Sequence, residues 1–507
     1  MKLLATIVLS FAAVFCTVLL VIVVRTFTLT VRSDGVKQCE KLDHDFIPAT
    51  EEVLERFRKA IRFQTVSQEL HVYNRPELER LLDFIHSDYP TIHSSSLVEH
   101  EVVGNYSLLY SIKGSNSALQ PYILMAHLDV VPVADPDKWE APPFEGEIRN
   151  GFIYGRGTID FKQGVIGILE ALEYLLASGR KPVRGFYVAF GHDEEVSGQD
   201  GARAIGDLLM KRGVHGVEFI LDEGLTIVNN VIPGIDRPVA MVGSSEKGQV
   251  FLELLVKGTP SHSSMPEPES PIGILANAVA RLEKYPQPSM FGYGPEKDTF
   301  EHLAPEMKLP FRMVMTNLWL FGPVVSWILS LKPVTNAIIR TVTAVTMFQA
   351  GVKINVNAPD ARAYVNHRIH PAQSIEQVIE YDRQIINDDR VQITVLYRQE
   401  ALPISPSGDN DFGYQTIKNS IRQVWTESVV APGTLIGNTD TKHYTKLSNN
   451  IYRFSPTFMF QEDVPRFHGN NERISIKNYE QAINFYYHLM RNSDKEKLTP
   501  SHSHGEL

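Results

Sequence analysis

Histidine and carboxylate side chains recur along this chain where apolar runs give way to loops. Taken singly, each is an ordinary polar residue of a loop or helix cap. Together they match the ligands of zinc, which binds imidazole nitrogen and carboxylate oxygen and keeps a position open for water at catalytic sites. They are His127 in MAHLDVV, Asp160 in GRGTIDFK, Glu195 in GHDEEVSG, Asp222 in ILDEG and His468 in RFHGNNE.

Ligands of this number and type can hold two metal ions if one carboxylate bridges, and a two-metal site binds both the attacking and the leaving oxygen of a hydrolysis. Asp129 lies two residues beyond His127, where its carboxylate can orient that imidazole. Glu194 precedes Glu195, and we expect its side chain to point elsewhere in the loop and to act as a base on water. The pattern predicts a metal-dependent hydrolase.

The elements that must position these residues alternate between short apolar runs and amphipathic stretches. Helical spacing recurs within residues 50–87, strands are predicted at 122–125, 185–190 and 219–221, and a helix at 164–176. Such alternation predicts an α/β fold with a mostly parallel sheet, whose ligands bind at the carboxyl ends of the strands. We expect each candidate ligand to terminate a strand.

The pattern changes near residue 245, where a smaller set of elements predicts an inserted α+β domain. Its predicted strands are 249–256, 353–356, 363–366 and 392–397, and its predicted helices are 271–282 and 375–385. The predicted division is a leader at 1–25, a catalytic domain at 45–244, the inserted domain at 245–400, the rest of the catalytic domain at 401–492 and a flexible tail at 493–507.

Composition excludes several classes of protein. The 507 residues are 43% hydrophobic and 21% charged, which is ordinary for a globular protein. A net charge of −10 leaves no basic surplus, so no nucleic-acid partner is expected. With only Cys16 and Cys39, the chain is no disulfide scaffold.

The leader indicates entry into the secretory pathway. An apolar run from Leu3 to Val24 lies between Lys2 and Arg25. Its length suits a membrane-spanning signal anchor of about 20 residues, and its position suits a signal peptide, so secretion and membrane anchoring both stay open. The sequon at Asn105 is compatible with a glycoprotein of that pathway.

The motifs resemble those of the co-catalytic di-zinc exopeptidases that include aminoacylase, carboxypeptidase S and related dipeptidases. The resemblance covers residues 50–492 in motif order and spacing. It implies an aminopeptidase/carboxypeptidase-like fold with an inserted lid domain and two Zn²⁺ ions per subunit. It also implies the roles of the residues: His127 and Asp222 bind one zinc, Glu195 and His468 bind the other, Asp160 bridges, Asp129 orients His127 and Glu194 is the general base.

The same resemblance implies residues for substrate binding. His262 in KGTPSHSS matches a lid histidine that reaches the substrate, and Arg368 in VNHRIHP matches an arginine associated with a substrate carboxylate. GNTDTKHY, with Asn438, Thr439 and Asp440, matches a loop near the specificity pocket. Lids of this family often mediate homodimers.

Within the family, several runs resemble enzymes that join a free fatty acid to an amino acid and also cleave the product. They are YILMAHLDVVP, IYGRGTIDFK, FGHDEEVSG, SSEKG, VTNAIIR and IYRFSP. The implied partners are N-fatty-acyl amino acids, fatty acids and amino acids. A carboxypeptidase or dipeptidase is the first alternative, since it needs the same activated water, and a membrane-anchored binding protein without catalysis is the second.

Residues 311–348 hold an apolar stretch, LWLFGPVVSWILSL, followed by Ile338, Ile339, Val342 and Val345 at helical spacing. The stretch is too short to span a bilayer. Two interpretations stay open: these residues fill the core of an enlarged lid, or part of them forms a channel or a surface for the acyl chain that also contacts a membrane or lipoprotein.

Overall fold

The computed structural model describes residues 2–29 and 45–495. Cys39 and the residues of the tail from 496 onward lie outside this part of the chain. The helices are α1 Lys2–Thr28, α2 Glu51–Arg62, α3 Arg75–Asp88, α4 Pro90–Ser94, α5 Lys162–Ala177, α6 Ala202–Lys211, α7 Pro271–Lys284, α8 Glu296–Leu303, α9 Phe311–Met315, α10 Leu318–Ser330, α11 Pro333–Ile339, α12 Ile375–Ile386, α13 Phe412–Val424 and α14 Ile476–Ser493.

The strands form two larger sheets and two small ones. They are β1 Ser67–Glu69, β2 Val72–Tyr73, β3 Val98–Val103, β4 Ser107–Ile112, β5 Tyr122–His127, β6 Glu147–Arg149, β7 Phe152–Tyr154, β8 Phe186–Gly191, β9 Ile220–Val228, β10 Val239–Glu246, β11 Gly248–Lys257, β12 Val342–Ala350, β13 Asp360–Ile369, β14 Gln392–Gln399, β15 Val429–Leu435, β16 Ile451–Met459 and β17 Arg473–Ser475.

The larger sheet has eight strands in the order β15-β10-β16-β9-β5-β8-β4-β3. Its central strands β16, β9, β5 and β8 are parallel, while β4 and β3 are antiparallel at one edge. Helices α2, α5 and α14 bury apolar side chains against one face, and α6 buries its own against the other. Strands covered on both faces are expected for a parallel α/β sheet, so the predicted fold class is confirmed.

The second sheet is antiparallel, with four strands in the order β12-β13-β11-β14. Helices α7 and α12 cover one of its faces and enclose a separate apolar core. Lys247 is the single residue between β10 of the first sheet and β11 of the second. We call this second unit the lid domain.

Two local predictions in the lid are wrong. The strand expected at 353–356 is a turn region, and the residues from Val342 onward, expected at helical spacing, form β12. The reason is pairing: β12 runs antiparallel to β13 from Val342 to Ala350, which satisfies the backbone of an edge strand. Gly351, at φ +76°, then turns the chain away from the sheet.

Helix α1 is long and apolar enough to cross a membrane, and residues Thr6–Thr28 have a mean hydropathy of 3.1. A signal sequence near the N-terminus has the same length and composition. The carboxyl-terminal end of α1 contacts the lid. Arg25 Nε donates to the carbonyl oxygen of Thr316 at 3.0 Å, and Arg312 Nε donates to that of Thr26 at 2.8 Å. Thr26 is buried there, while most of the helix is exposed.

Candidate metal centre

The candidate ligands converge at one edge of the large sheet. His127 is the last residue of β5, and Glu194 and Glu195 begin the turn after the neighbouring parallel strand β8. Asp160 stands in the loop before α5, and His468 in the loop before β17. Only His127 ends a strand as expected, and Asp222 lies inside β9.

Asp160 contacts both histidines. Its Oδ1 is 3.1 Å from His127 Nε2, and its Oδ2 is 2.6 Å from His468 Nε2. Glu195 Oε2 lies 3.5 Å from the same nitrogen of His468. One carboxylate with an imidazole on each oxygen has the arrangement required of a bridging ligand.

Asp129 holds the turn that carries the two glutamates. Its carboxylate oxygens accept the backbone N–H groups of Glu194 at 3.1 Å and Glu195 at 3.3 Å. His127 Nδ1 lies 3.0 Å from the carbonyl oxygen of Asp129 and 3.3 Å from its Oδ1. Asp129 therefore orients the imidazole so that Nε2 faces the cluster, and it fixes the glutamate turn at the same time.

Glu223 is the acidic side chain of β9 that faces His127. Its Oε1 is 3.4 Å from His127 Nε2, and it groups with His127 and Glu194. Asp222, which the sequence favoured, accepts the backbone N–H of Glu223 at 2.9 Å through Oδ1. Both acids are buried because β9 is a central strand that is covered on both faces of the sheet. Sequence alone places an acid pair here and does not say which member faces the histidine.

Sequence reasoning missed Glu472, which fixes the loop of Asp160. Its Oε1 accepts backbone N–H groups from Gly157, Ile159 and Asp160 at 3.1, 2.6 and 3.1 Å. Its Oε2 is 2.6 Å from Arg156 NH1, and both side chains are buried. Only its place four residues after His468 could have marked it, and that spacing carries no chemical signal.

The cluster concentrates negative charge away from water. Burial, together with the charge of Asp160, raises the pKa of Glu195 and of Glu223 well above the usual value. Burial opposes ionisation of Asp160, but hydrogen bonds to His127 and His468 hold its pKa well below the usual range. Glu195 Oε1 and Asp222 Oδ2 are buried without a hydrogen-bond partner among the described residues. Surplus buried carboxylate beside imidazole fits divalent cations of the zinc class.

The loop at 438–441 is tied to the junction between the two sheets. Glu246, at the end of β10, accepts hydrogen bonds from Asn438 Nδ2 and Thr439 Oγ1, each at 3.0 Å, and from Arg453 Nε at 2.8 Å. Arg368 of β13 in turn donates to Asn438 Oδ1. The loop thereby joins the lid to the edge of the large sheet.

Asp440 and His262 have different surroundings. Burial, and next the charge of Glu194, raise the pKa of Asp440 well above its usual value. His262 is exposed in the lid, where its Nδ1 lies 2.7 Å from Ser264 Oγ. The contacts of His262 among the described residues are therefore within the lid.

Sequence comparison places these features in a known family. Residues 123–492 match the profile of peptidase family M20/M25/M40. An N-fatty-acyl-amino acid synthase/hydrolase of Xenopus tropicalis is 46% identical over 98% of this chain and 97% of its own length. The enzyme of the same name in Mus musculus is 48% identical over 89% of this chain and 90% of its own. A carboxypeptidase S-like protein of Dictyostelium discoideum is 40% identical over 94% and 92%.

Solved structures share the fold at low sequence identity. An M20 metallo-carboxypeptidase of Sulfolobus solfataricus superposes with a TM-score of 0.62 at 17% identity, covering 88% of this chain and all (100%) of that one. A dinuclear metal-binding peptidase of Bacillus subtilis gives 0.52 at 13% identity, covering 87% and 98%. At such identities the likeness extends to the fold alone.

Proposed function

The chain belongs to peptidase family M20/M25/M40, and from this premise we propose that it cleaves, and in reverse forms, the amide bond between a long-chain fatty acid and an amino acid. The observation that carries the proposal is Asp160 between His127 and His468, at 3.1 and 2.6 Å, with Glu194 beside them. A binding protein without catalysis has no need of that glutamate. The relatives named N-fatty-acyl-amino acid synthase/hydrolase support the choice of substrate.

The proposed ligands are His127 with Asp222 or Glu223 of β9 on one side, Glu195 and His468 on the other, and Asp160 between them. Asp222 is the ligand that the family resemblance implies, and its Oδ2 is buried without a hydrogen-bond partner among the described residues. Glu223 is the second candidate, because its Oε1 lies 3.4 Å from His127 Nε2. Two Zn²⁺ ions bound there supply polarisation of the amide carbonyl and a lowered pKa of water.

Glu194 is the proposed proton carrier. Burial raises its pKa to about 8, close to the range in which a carboxyl group can both accept and donate a proton near neutral pH. In hydrolysis its carboxylate takes a proton from the attacking water and gives it to the nitrogen of the departing amino acid. In condensation the proton moves the other way.

The proposed contacts for the amino-acid moiety lie between the lid and the large sheet. Arg368 would receive the substrate carboxylate, since the net charge of −10 offers no long-range attraction for an anion. Asn438 and Thr439 hold the loop through Glu246, and Asp440 lies on the side of Glu194. His262 keeps its proposed role as a substrate contact from the lid.

The apolar surface of the lid supports a lipid substrate. Helix α10 exposes Trp319, Val324, Trp327 and Ile328, of which Trp327 is 63% exposed. Beside it a cavity of about 590 Å³ is lined by aromatic residues such as Phe291 and Trp319 and by the cations Arg25 and Lys297. We propose that this surface receives the acyl chain and contacts a membrane or lipoprotein. The secretory pathway is the proposed location, with α1 as signal or anchor.

The test compares three substrates that release the same amine. Purified full chain, loaded with zinc, is given N-oleoyl-leucine, N-acetyl-leucine and the dipeptide alanyl-leucine, and free leucine is measured. We expect the highest kcat/KM on N-oleoyl-leucine and loss of that activity when a chelator removes the metal. A preference for the dipeptide would instead favour the carboxypeptidase or dipeptidase alternative. The 40% identical carboxypeptidase S-like relative supports that alternative.

A further inference from the structure

Three histidines from different elements converge at the antiparallel edge of the large sheet. His86 stands in the last turn of α3, His93 in α4 and His100 in edge strand β3. The ring centroids of His86 and His93 are 4.6 Å apart, those of His93 and His100 4.8 Å, and those of His86 and His100 5.7 Å. One nitrogen from each ring lies within 4.8 Å of the other two.

The middle histidine is already oriented as a ligand would be. His93 Nδ1 lies 2.8 Å from the carbonyl oxygen of Tyr89, which can only accept, so Nδ1 carries the proton and Nε2 carries the lone pair. A ligating histidine usually donates its other N–H to a carbonyl or carboxylate in this way. His93 Nε2 lies 3.2 Å from the hydroxyl of Tyr110. A bound metal ion would replace this hydrogen bond.

The other two histidines are free to turn. Both are exposed, and among residues 45–495 no hydrogen bond to protein engages the ring nitrogens of either. His100 pairs in register with Tyr110 of β4, so both side chains project on the same face of the sheet. Small rotations about χ2 of His86 and His100 would bring their nitrogens toward His93 Nε2.

We propose that His86, His93 and His100 form a second, peripheral site for a zinc-class ion, separate from the co-catalytic cluster. Three imidazoles and a water complete a tetrahedral shell, and imidazole selects zinc, copper or nickel over magnesium or calcium. The ion would join β3, an edge strand, to helices α3 and α4. Its role is therefore to stabilise the edge of the sheet and not to act on substrate.

The test counts zinc on the full chain. Protein with its co-catalytic site loaded is dialysed against a buffer of fixed free Zn²⁺, and bound zinc per chain is measured by atomic emission. We expect His93→Gln and His100→Gln each to bind about one ion fewer than wild type with unchanged turnover on N-oleoyl-leucine. The matched control is His215→Gln, an exposed histidine outside the cluster, which should bind as wild type does.

A second readout covers the case in which His93→Gln folds poorly. With the co-catalytic site already loaded, further zinc should raise the Tm of wild type, because an ion that binds only the folded chain stabilises it, and should not raise the Tm of His100→Gln. Equal zinc content and equal Tm shifts in wild type and His100→Gln would overturn the proposal and leave the three rings as a surface stack.

Discussion

At the scale of single residues, the acid pair of β9 places two candidate metal ligands side by side. In a regular strand Asp222 and Glu223 would face opposite sides of the sheet. Both are buried because β9 is covered on both faces of the sheet, and Glu223 Oε1 lies 3.4 Å from His127 Nε2. Asp222 Oδ1 accepts the backbone N–H of Glu223 at 2.9 Å.

Paired substitutions separate the two roles. Glu223→Gln should lower zinc content and turnover together, because an amide oxygen is a weaker zinc ligand than a carboxylate. Asp222→Asn keeps an oxygen for the amide of Glu223 and should retain more zinc. Zinc content of both proteins, measured after dialysis at one free zinc concentration, decides between them; greater loss in Asp222→Asn would return the ligand position to Asp222.

At the scale of elements, the loop between β7 and α5 depends on one buried acid. Glu472 is fully buried, accepts three backbone N–H groups and pairs with Arg156, which is 2% exposed. Removing one partner of a buried ion pair leaves the other charge uncompensated and costs about 3–5 kcal/mol.

Glu472→Gln should therefore lower the free energy of unfolding by about 3 kcal/mol or more, and should lower zinc content because Asp160 loses its support. Chemical denaturation of the zinc-free proteins measures the first effect without the contribution of the metal. Glu462→Gln is the matched control, since Glu462 is exposed. An equally small change in both variants would show that Glu472 does not hold the loop.

Elements whose sequence is a run of apolar residues are predictable from sequence. Elements whose conformation depends on pairing with another strand are not. The predicted strand 185–190 and helix 164–176 lie within one or two residues of β8 and α5, because most residues of both are buried. Strand β12 was missed because most of its side chains are exposed and its conformation comes from β13. For the same reason Glu223 and Glu472 gave no signal: their roles depend on register and on contacts with distant loops.

Helix α10 is the element on which the proposed lipid specificity rests. Burying a methylene is worth about 0.8 kcal/mol, so contact with about two acyl carbons changes affinity roughly tenfold. Trp319→Ser with Trp327→Ser should raise KM for N-oleoyl-leucine at least tenfold (about two methylenes) and leave KM for N-acetyl-leucine unchanged. Ile354→Ser, at a fully exposed lid residue, is the control. An equal rise in KM for both substrates would show that α10 stabilises the lid and does not bind the acyl chain.

At the scale of the whole molecule, two sheets meet at one residue and share one polar network. Lys247 joins β10 to β11, and Glu246 beside it binds the loop that Arg368 of the lid also contacts. The candidate metal cluster lies on the large sheet, while residues of α10 and Arg25 of α1 line one cavity in the lid region. This division suits a substrate with a polar amide end and a long apolar chain.

The central claim is that one set of residues performs both cleavage and condensation of N-fatty-acyl amino acids. The most direct measurement compares zinc-loaded wild type with zinc-loaded Glu194→Gln in both directions, using N-oleoyl-leucine for hydrolysis and oleate with leucine for synthesis. Because a catalyst leaves the equilibrium unchanged, both rates should fall by the same factor, at least about 10²-fold, with zinc content and Tm retained. Synthesis that persists in Glu194→Gln while hydrolysis is lost, or near-normal hydrolysis in the zinc-replete variant, would contradict the account.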